Sequence, residues 1–241
     1  MRYGIFSDIH ANLEAMEAVF KVFQKESVDS YFCVGDVVGY GANPHECIEI
    51  VKDLKAPCVA GNHDWAVIDR LDTRYFNPVA KTAVVWTRGA ISPEDKGFLE
   101  SLQLVYKNND FILVHGTLQE ALYFHYLVEE EEAKRMFALM DRPICFVGHT
   151  HVPGIFVQHK QRVGFVFHSK LKLDSGIKYI INVGSVGQPR DGNPMASYCI
   201  YDTEDNSIAI KRVSYNIAEA QRKIIEVGLP PFLAHRLASG K

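Results

Sequence analysis

Five short polar clusters in this sequence contain the residue types that bind metal ions in proteins. Each cluster carries histidine, aspartate or asparagine, and each directly follows a short apolar run. The clusters are Asp8-Ile9-His10, Gly35-Asp36, Gly61-Asn62-His63-Asp64, His115-Gly116 and Gly148-His149-Thr150-His151. Imidazole suits zinc, iron and manganese, whereas carboxylate suits manganese and iron. The clusters therefore predict a metal site to which none of the cysteines contributes.

The spacing within two clusters allows neighbouring side chains to reach the same ion, because side chains alternate along an extended chain. These pairs are Asp8 with His10 and His149 with His151. The complete set is larger than one first-row ion needs, and comprises Asp8, His10, Asp36, Asn62, His115, His149 and His151. We therefore predict two metal ions that share one carboxylate, an arrangement known for displacement at phosphorus with ions about 3.5–4 Å apart. Manganese, iron, zinc and nickel ions all fit this mixed set of nitrogen and oxygen ligands.

Each cluster also has a structural interpretation when it is considered alone, because a histidine at a strand end is often only a half-buried polar residue. The metal-site interpretation is favoured because all five clusters carry ligand types and all five follow a predicted strand. In open α/β sheets, the ends of parallel strands converge on a crevice that binds ligands.

Apolar runs and helical periodicities alternate along the first part of the chain. The runs predict strands at 3–7, 31–34, 57–60, 111–114 and 144–147. Helices are predicted from Leu13 to Phe23, from Pro44 to Leu54, and over 80–89, 93–102 and 129–140. Further strands, mainly antiparallel, are predicted at 154–159, 162–168, 178–183, 196–203 and 207–213, followed by a helix from Asn216 and a tail from Leu229 that packs on the surface. This order predicts an α/β fold in a single domain over residues 1–241.

The composition is that of an ordinary globular protein, with 47% hydrophobic and 23% charged residues. The net charge of -3 provides no global basic field, which argues against a stable nucleic-acid partner. The five cysteines are scattered and contain no CxxC pair, so we predict buried free thiols in a reducing compartment. No apolar run approaches membrane-spanning length, and we predict a cytoplasmic protein without a membrane partner.

In this order, the five clusters resemble the calcineurin-like metallophosphoesterase superfamily over about residues 1–190. Two stretches, 35–44 and 184–191, resemble its branch of small prokaryotic phosphodiesterases and diadenosine tetraphosphate hydrolases. The resemblance implies a four-layer α/β/β/α sandwich, in which two mixed β-sheets are flanked by helices.

The resemblance also implies a role for each cluster. The ligands of the first ion would be Asp8, His10 and His151. The ligands of the second ion would be Asn62, His115 and His149, and Asp36 would bridge the two. A hydroxide between the ions would attack phosphorus. His63 would protonate the departing oxygen or donate to the phosphoryl group, with a structural hydrogen bond to the backbone as the alternative.

One departure from the superfamily concerns the residues after Asp36. Its protein Ser/Thr phosphatases carry Gly-Asp-x-Val-Asp-Arg-Gly at this cluster, whereas this chain has Gly39 and Tyr40 in place of the second aspartate and the arginine. In those phosphatases the aspartate orients the catalytic histidine and the arginine grips phosphate. The departure argues against protein phosphatase activity and leaves open what orients His63, since the adjacent Asp64 can point away.

Three residues are candidates for contact with the substrate: Asn62, Arg190 and Tyr40. A guanidinium matches phosphate oxygens, and a surface salt bridge to Asp191 is the alternative for Arg190. The aromatic group 123–126 could stack on a nucleobase, although core packing is favoured for it.

These observations leave three functional hypotheses. The first is a metal-dependent phosphodiesterase or phosphatase that acts on a small phosphorylated molecule, with nucleotides favoured. The second is an asymmetric dinucleoside polyphosphate hydrolase. The third is a metal-binding scaffold without catalysis, against which the retention of His63 and the complete ligand set argues. The sequence does not determine the oligomeric state.

Overall fold

The computed structural model of the protein describes residues 1–167 and 169–241 and contains two β-sheets between layers of helices. The strands within the described residues are β1 (Arg2–Phe6), β2 (Ser30–Cys33), β3 (Val105–Lys107), β4 (Phe111–Val114), β5 (Ile144–Val147), β6 (Gly154–His159), β7 (Arg162–Val166), β8 (Lys170–Lys172), β9 (Ile177–Asn182), β10 (Ala196–Asp202) and β11 (Ser207–Val213). The helices are α1 (Leu13–Lys25), α2 (Pro44–Asp53), α3 (Asn62–Val67), α4 (Pro78–Ala90), α5 (Pro93–Ser101), α6 (Glu130–Leu139), α7 (Ile217–Glu226) and α8 (Pro231–Leu237). Short 3₁₀ turns cover Thr73–Tyr75 and Ala121–Tyr123.

Both sheets mix parallel and antiparallel strands. The first has the order β2-β1-β10-β11-β8, in which only β1 and β2 run parallel. The second has the order β3-β4-β5-β9-β6-β7, with β4, β5 and β9 parallel to one another. The predicted α/β class with two mixed sheets flanked by helices is therefore confirmed.

Among the described residues, the buried apolar side chains form four clusters, three of which contain residues of the two sheets. Between the sheets, Ile5 and Cys199 of the first sheet pack with Phe111, Phe146 and Ile181 of the second. Helices α1 to α5 cover the other face of the first sheet, and α6 covers the other face of the second. Strands β4 and β5 are buried along their whole length, which explains why they are continuous apolar runs in the sequence.

Local signals explain where the helices begin. Asn12 accepts a hydrogen bond from the Ala15 backbone N–H at the start of α1. Ser92 and Asp95 form a reciprocal capping box around Pro93 at the start of α5. The caps fix where α1 and α5 begin, and apolar side chains of both helices belong to the cluster on the outer face of the first sheet.

Three predicted elements differ from the structure. The segment 57–60 forms only isolated bridges, Cys33 with Cys58 and Val59 with Gln103, instead of a strand. The predicted strand 162–168 ends at Val166, and residue 168 lies outside the described residues. The tail after Leu229 packs on the rest of the fold through helix α8. This helix was not predicted, because a segment so short shows no clear helical periodicity.

The described residues contain no helix with the length and apolarity required to cross a bilayer.

Candidate metal centre

Four parallel strands end beside one another and deliver most of the predicted ligands to one place. Strand β1 ends at Phe6, β2 at Cys33, β4 at Val114 and β5 at Val147. The loops that follow carry the side chains Asp8, His10, Asp36, His115, His149 and His151, all buried. Asn62 and His63 begin helix α3 at the same crevice. The structure therefore brings these predicted side chains together at one edge of the fold.

The first group of candidate ligands is Asp8, His10 and His151, whose ligand atoms lie within 4.8 Å of one another. His151 Nε2 is 3.2 Å from Asp8 Oδ1 and 3.1 Å from His10 Nε2. Three donors that converge in this way can bind one cation.

The second group is Asp36, His115 and His149, again with all three ligand atoms within 4.8 Å. Asp36 Oδ2 lies 3.3 Å from His115 Nε2 and 3.6 Å from His10 Nε2. The carboxylate of Asp36 therefore faces both groups, which is the geometry that a shared ligand requires.

In Asp8 and in Asp36, one carboxylate oxygen accepts a backbone hydrogen bond, and the other faces the histidines. Asp8 Oδ2 accepts the His149 backbone N–H at 3.1 Å, and Asp36 Oδ1 accepts the His63 backbone N–H at 2.8 Å. Asp8 Oδ1 has no hydrogen-bond partner among the described residues, nor do Asn62 Oδ1 and His115 Nε2. Buried polar atoms are normally paired. Potential metal-ligand atoms that are buried without a hydrogen-bond partner are therefore consistent with a bound cation.

Backbone carbonyls orient three of the imidazoles. Nδ1 lies 3.1 Å from the Val38 oxygen in His10, 2.7 Å from the Val34 oxygen in His115, and 2.6 Å from the Gln188 oxygen in His151. A carbonyl oxygen can only accept, so each Nδ1 carries a proton and each Nε2 faces the centre, where it would bind a cation through its lone pair.

The backbone at the site has an uncommon conformation. Asp8, His10, Asp36, His149 and His151 all have a positive φ, between 49° and 66°. Aspartate and histidine enter this region more often than most residues, and such conformations cluster at functional sites.

Burial and neighbouring charges set the protonation of the metal-free site. Burial lowers the pKa of His10 well below its usual value and that of His149 to about 3. Burial would lower the pKa of His115 as well, but Asp36 beside it raises that pKa to about 10. Burial would raise the pKa of Asp36, but His115 and His63 outweigh it and hold that pKa well below the usual range.

We expect the metal-free protein to lose stability as the pH falls from about 6.5 towards 4. His10, His63 and His149 stay neutral in the folded protein, with the pKa of His63 lowered by burial to about 4, whereas the unfolded chain takes up protons near its usual histidine pKa. Each such histidine lowers the free energy of unfolding by up to about 1.4 kcal/mol per pH unit in this range. Denaturant unfolding of chelator-treated protein at several pH values measures the dependence.

A pair of variants controls this measurement. His149→Gln is expected to weaken the pH dependence, whereas substitution of the exposed His159 by glutamine on β6 leaves it unchanged. A free energy of unfolding that stays constant between about pH 6.5 and pH 4 would contradict neutral histidines in the fold.

Aromatic rings surround His63, whose side chain has no carboxylate at position 39 to orient it. Its ring centroid lies 4.4 Å from that of Tyr40, 5.1 Å from Phe76 and 5.0 Å from His10. His63 Nδ1 has no hydrogen-bond partner within the part of the chain described. A Cβ atom on Gly39 would lie only 2.6 Å from this nitrogen, so a side chain at position 39 would collide with the ring.

Asp64 points away from His63. Its Oδ1 accepts the Val37 N–H at 2.9 Å and its Oδ2 accepts the Gly61 N–H at 3.0 Å. The carboxyl therefore fixes the start of α3 and the loop after β2. Burial, followed by the nearby charge of Asp36, raises the pKa of Asp64 to about 7.

Arg190 and Tyr40 lie together at the edge of the same crevice. Arg190 Nη2 donates to Gln188 Oε1 at 2.9 Å, and its Cζ is 5.8 Å from the centre of the Tyr40 ring. Asp191 pairs with Arg212 instead, so the alternative of an Arg190–Asp191 salt bridge is wrong. Leu233 and Leu237 of α8 are buried in the same apolar cluster as Tyr40.

A cavity of about 390 Å³ opens over these groups. Its candidate site residues are Asp36, Tyr40, Asn62, His63, His149, His151 and Arg190. Its remaining lining is largely apolar and comprises Leu71, Asp72, Phe76, Asn77, Ala80, Tyr123, Phe124 and Tyr126. Core packing holds for Phe124, which is 4% exposed, but is wrong for Tyr123 and Tyr126, which are 62% and 52% exposed. Sequence reasoning missed Phe76 and Asn77, because they lie between helices where no periodicity marks a buried or exposed face.

Comparison with known proteins finds relatives that match almost the whole chain. Residues 1–206 match the model of the calcineurin-like phosphoesterase superfamily domain. The uncharacterized protein MJ0912 of Methanocaldococcus jannaschii is 41% identical over 242 residues, which cover 99% of this chain and 98% of that protein. The crystal structure of a metallophosphoesterase from Sphaerobacter thermophilus has 42% identity and a TM-score of 0.87, and the match covers 100% of this chain and 99% of the other. The hypothetical protein PH1004 from Pyrococcus horikoshii OT3 shares the fold, with a TM-score of 0.80, 17% identity and coverage of 100% and 98%.

Proposed function

Because the chain belongs to the calcineurin-like phosphoesterase superfamily, we propose that it hydrolyses esters of small phosphorylated molecules at a centre of two metal ions. The first ion would be held by Asp8, His10 and His151. The second would be held by Asn62, His115 and His149, with Asp36 shared between the two. When bound, divalent ions at such a site lower the pKa of a water molecule and neutralise charge on the phosphoryl group.

The chain's own residues would bind the ester and move a proton. Arg190 and Asn62 line the cavity with polar atoms that suit phosphoryl oxygens. His63, in the same cavity, would donate a proton to the departing oxygen or a hydrogen bond to the phosphoryl group. Tyr40 would limit the movement of both Arg190 and His63, since its ring contacts each of them.

The observation that carries this proposal is a set of buried atoms that could bind metal and have no hydrogen-bond partner. Asp8 Oδ1, Asn62 Oδ1 and His115 Nε2 make no hydrogen bond within the described structure. Leaving buried polar atoms unpaired destabilises a fold, unless a ligand such as a cation pairs with them.

A metal and substrate panel tests the proposal. Chelator-treated protein is reconstituted with manganese, iron or zinc and assayed with p-nitrophenyl phosphate, bis-p-nitrophenyl phosphate and nucleotides. We expect turnover that depends on added metal and is lost in Asp36→Asn, whereas Asp205→Asn at an exposed turn behaves as wild type. Full activity in Asp36→Asn, or turnover that needs no metal, would overturn the proposal. Tight metal binding without turnover would instead favour the non-catalytic scaffold.

A second cavity favours one alternative substrate. It has a volume of about 500 Å³, shares Tyr126 with the first, and is also lined by His125 and Arg135. Two cavities that meet at one side chain could hold the two halves of a dinucleoside polyphosphate. Turnover of diadenosine tetraphosphate by the metal-loaded enzyme would support this activity, and its absence while other nucleotide esters are hydrolysed would exclude it.

A further inference from the structure

Aromatic side chains from two separate segments line the cavity beside the candidate metal ligands. Phe76 lies between the 3₁₀ turn Thr73–Tyr75 and α4, and Tyr123 and Tyr126 belong to the segment between β4 and α6. The segment with Phe76 contributes no candidate metal ligand, whereas the segment with the two tyrosines begins with the candidate ligand His115. Their shared property is a set of flat apolar surfaces directed into a cavity whose floor is polar.

The segment with the two tyrosines is anchored, although both tyrosines are exposed. Phe124 is buried between Trp65 and His115, with ring centroids at 5.9 Å and 6.1 Å. The backbone also passes close to Gly116, where a Cβ atom would lie 2.7 Å from the His125 carbonyl oxygen. The fold therefore fixes this segment by Phe124 and leaves Tyr123 and Tyr126 at the cavity.

Tyr126 also connects the aromatic wall to the candidate metal centre. Its ring stacks on His149 with centroids 4.1 Å apart and planes inclined by 17°. A group bound beside Tyr126 would thus lie next to the candidate ligand His149.

We propose that Tyr123, Tyr126 and Phe76 form a subsite for the nucleobase of a nucleoside phosphoester, a proposal that rests on the proposed function. Every nucleobase has a π-face that stacks on aromatic side chains. Asn77 adds a polar group suited to a base edge, because its Oδ1 accepts the Ala80 N–H at 2.9 Å and its amide N–H groups are left to donate. A sugar phosphate without a base offers this wall no flat surface.

The volume of the cavity agrees with a ligand of this class. Small-molecule sites in proteins typically measure about 300–1,000 Å³, with apolar walls and a few polar groups that fix orientation. The cavity of about 390 Å³ has this composition, and Arg190 provides a positive charge for the phosphate end.

Two matched substrate pairs test the subsite on the metal-loaded enzyme. Adenosine 5′-monophosphate and ribose 5-phosphate share a primary alcohol as leaving group and differ by the base. Thymidine 5′-(p-nitrophenyl phosphate) and methyl p-nitrophenyl phosphate form the corresponding pair of diesters. We expect kcat/KM to favour the member with the base by about 5- to 150-fold, the range for loss of one base–aromatic stack.

Two variants test whether the preference for a substrate with a base arises from the aromatic side chains of the cavity. Tyr123→Leu is expected to lower the ratio of kcat/KM within each pair by about 5-fold or more. Phe167→Leu removes another exposed ring, which is 79% exposed and lies outside the cavity lining, and is expected to leave the ratio unchanged. Equal kcat/KM within the pairs, or a ratio that Tyr123→Leu does not alter, would overturn the subsite while hydrolysis itself stands.

A failure of the proposed function has a different signature. If no ester is turned over with any metal, the function is wrong, and calorimetric binding to the manganese-loaded protein then decides the subsite. Tighter binding of adenosine 5′-monophosphate than of ribose 5-phosphate, with the difference reduced in Tyr123→Leu, would support it. Equal binding of the two ligands would overturn it.

Discussion

Replacing His63 by alanine is expected to lower kcat by about 10²- to 10⁴-fold, the usual contribution of a side chain that transfers a proton in the transition state. His63 is buried at the cavity and lies in the first turn of α3. It is not among the proposed metal ligands. One of its ring nitrogens nevertheless lies within 4.8 Å of a potential ligand atom of His10 and of Asp36. We therefore expect the variant to retain two ions per chain, as measured by elemental analysis of the purified protein.

The metal content distinguishes the two roles that the geometry allows for His63. Loss of one ion in His63→Ala would show that the histidine is a ligand and would contradict a role confined to proton transfer. His159→Ala on the exposed part of β6 provides the matched control, with unchanged metal content and kcat.

The leaving group separates the two proton-donating roles of His63. A nitrophenolate departs without a proton, whereas a nucleoside alkoxide requires one. If His63 protonates the departing oxygen, the loss of kcat in His63→Ala is larger for a nucleotide than for a nitrophenyl ester. An equal loss with both substrates would indicate a hydrogen bond to the phosphoryl group instead.

Replacing Gly61 by alanine is expected to disrupt the shared metal ligand. A Cβ atom at this position would lie 2.0 Å from Asp36 Oδ1 and 2.4 Å from the Asp36 nitrogen. Gly61 has a φ of -96°, which alanine adopts readily, so the effect arises from contact with Asp36 and not from backbone strain. We expect metal affinity to fall by at least about 10- to 100-fold, the range for disturbed support of a ligand, with a parallel loss of activity.

Gly97→Ala is the matched control for this substitution. Gly97 is exposed in the middle of α5, and a Cβ atom there meets no other group within 4 Å. The control should bind metal normally and raise the free energy of unfolding by about 0.5–1 kcal/mol, because alanine favours helix over glycine. Full metal affinity in Gly61→Ala, measured by competition with a chelating dye, would contradict the position assigned to the Asp36 carboxylate.

All of the candidate ligands except Asn62 follow an apolar run that becomes a strand, whereas the run before Asn62 forms only isolated bridges. Strand ends converge for reasons of topology alone, so Asp8, Asp36 and His149 could be brought together without coordinates. The partner of His63 could not be found in this way. Adjacency suggested Asp64, but an aspartate three residues after the N-cap of a helix turns back to the backbone N–H of that cap, as Asp64 does towards Gly61.

The substrate side of the cavity was less predictable than the metal side. Phe76, Tyr123 and Tyr126 lie in irregular segments, where neither a period of two nor one of 3.6 residues indicates the direction of a side chain. The composition of 123–126 suggested either stacking or core packing. Only the fold shows that Phe124 is buried while its neighbours remain exposed.

The central position of β10 has a consequence for the order in which the protein is made. This strand lies between β1 and β11, and its residue Asp202 pairs with Arg2 at the other end of the chain. A nascent chain that has not yet released residues 196–202 from the ribosome therefore leaves one edge of β1 unpaired. The candidate metal centre likewise joins Asp8 to His149, 141 residues later. Closing such distant contacts is slow, and unpaired strand edges promote aggregation in the meantime. The candidate centre can therefore be completed only after His151 has been synthesised.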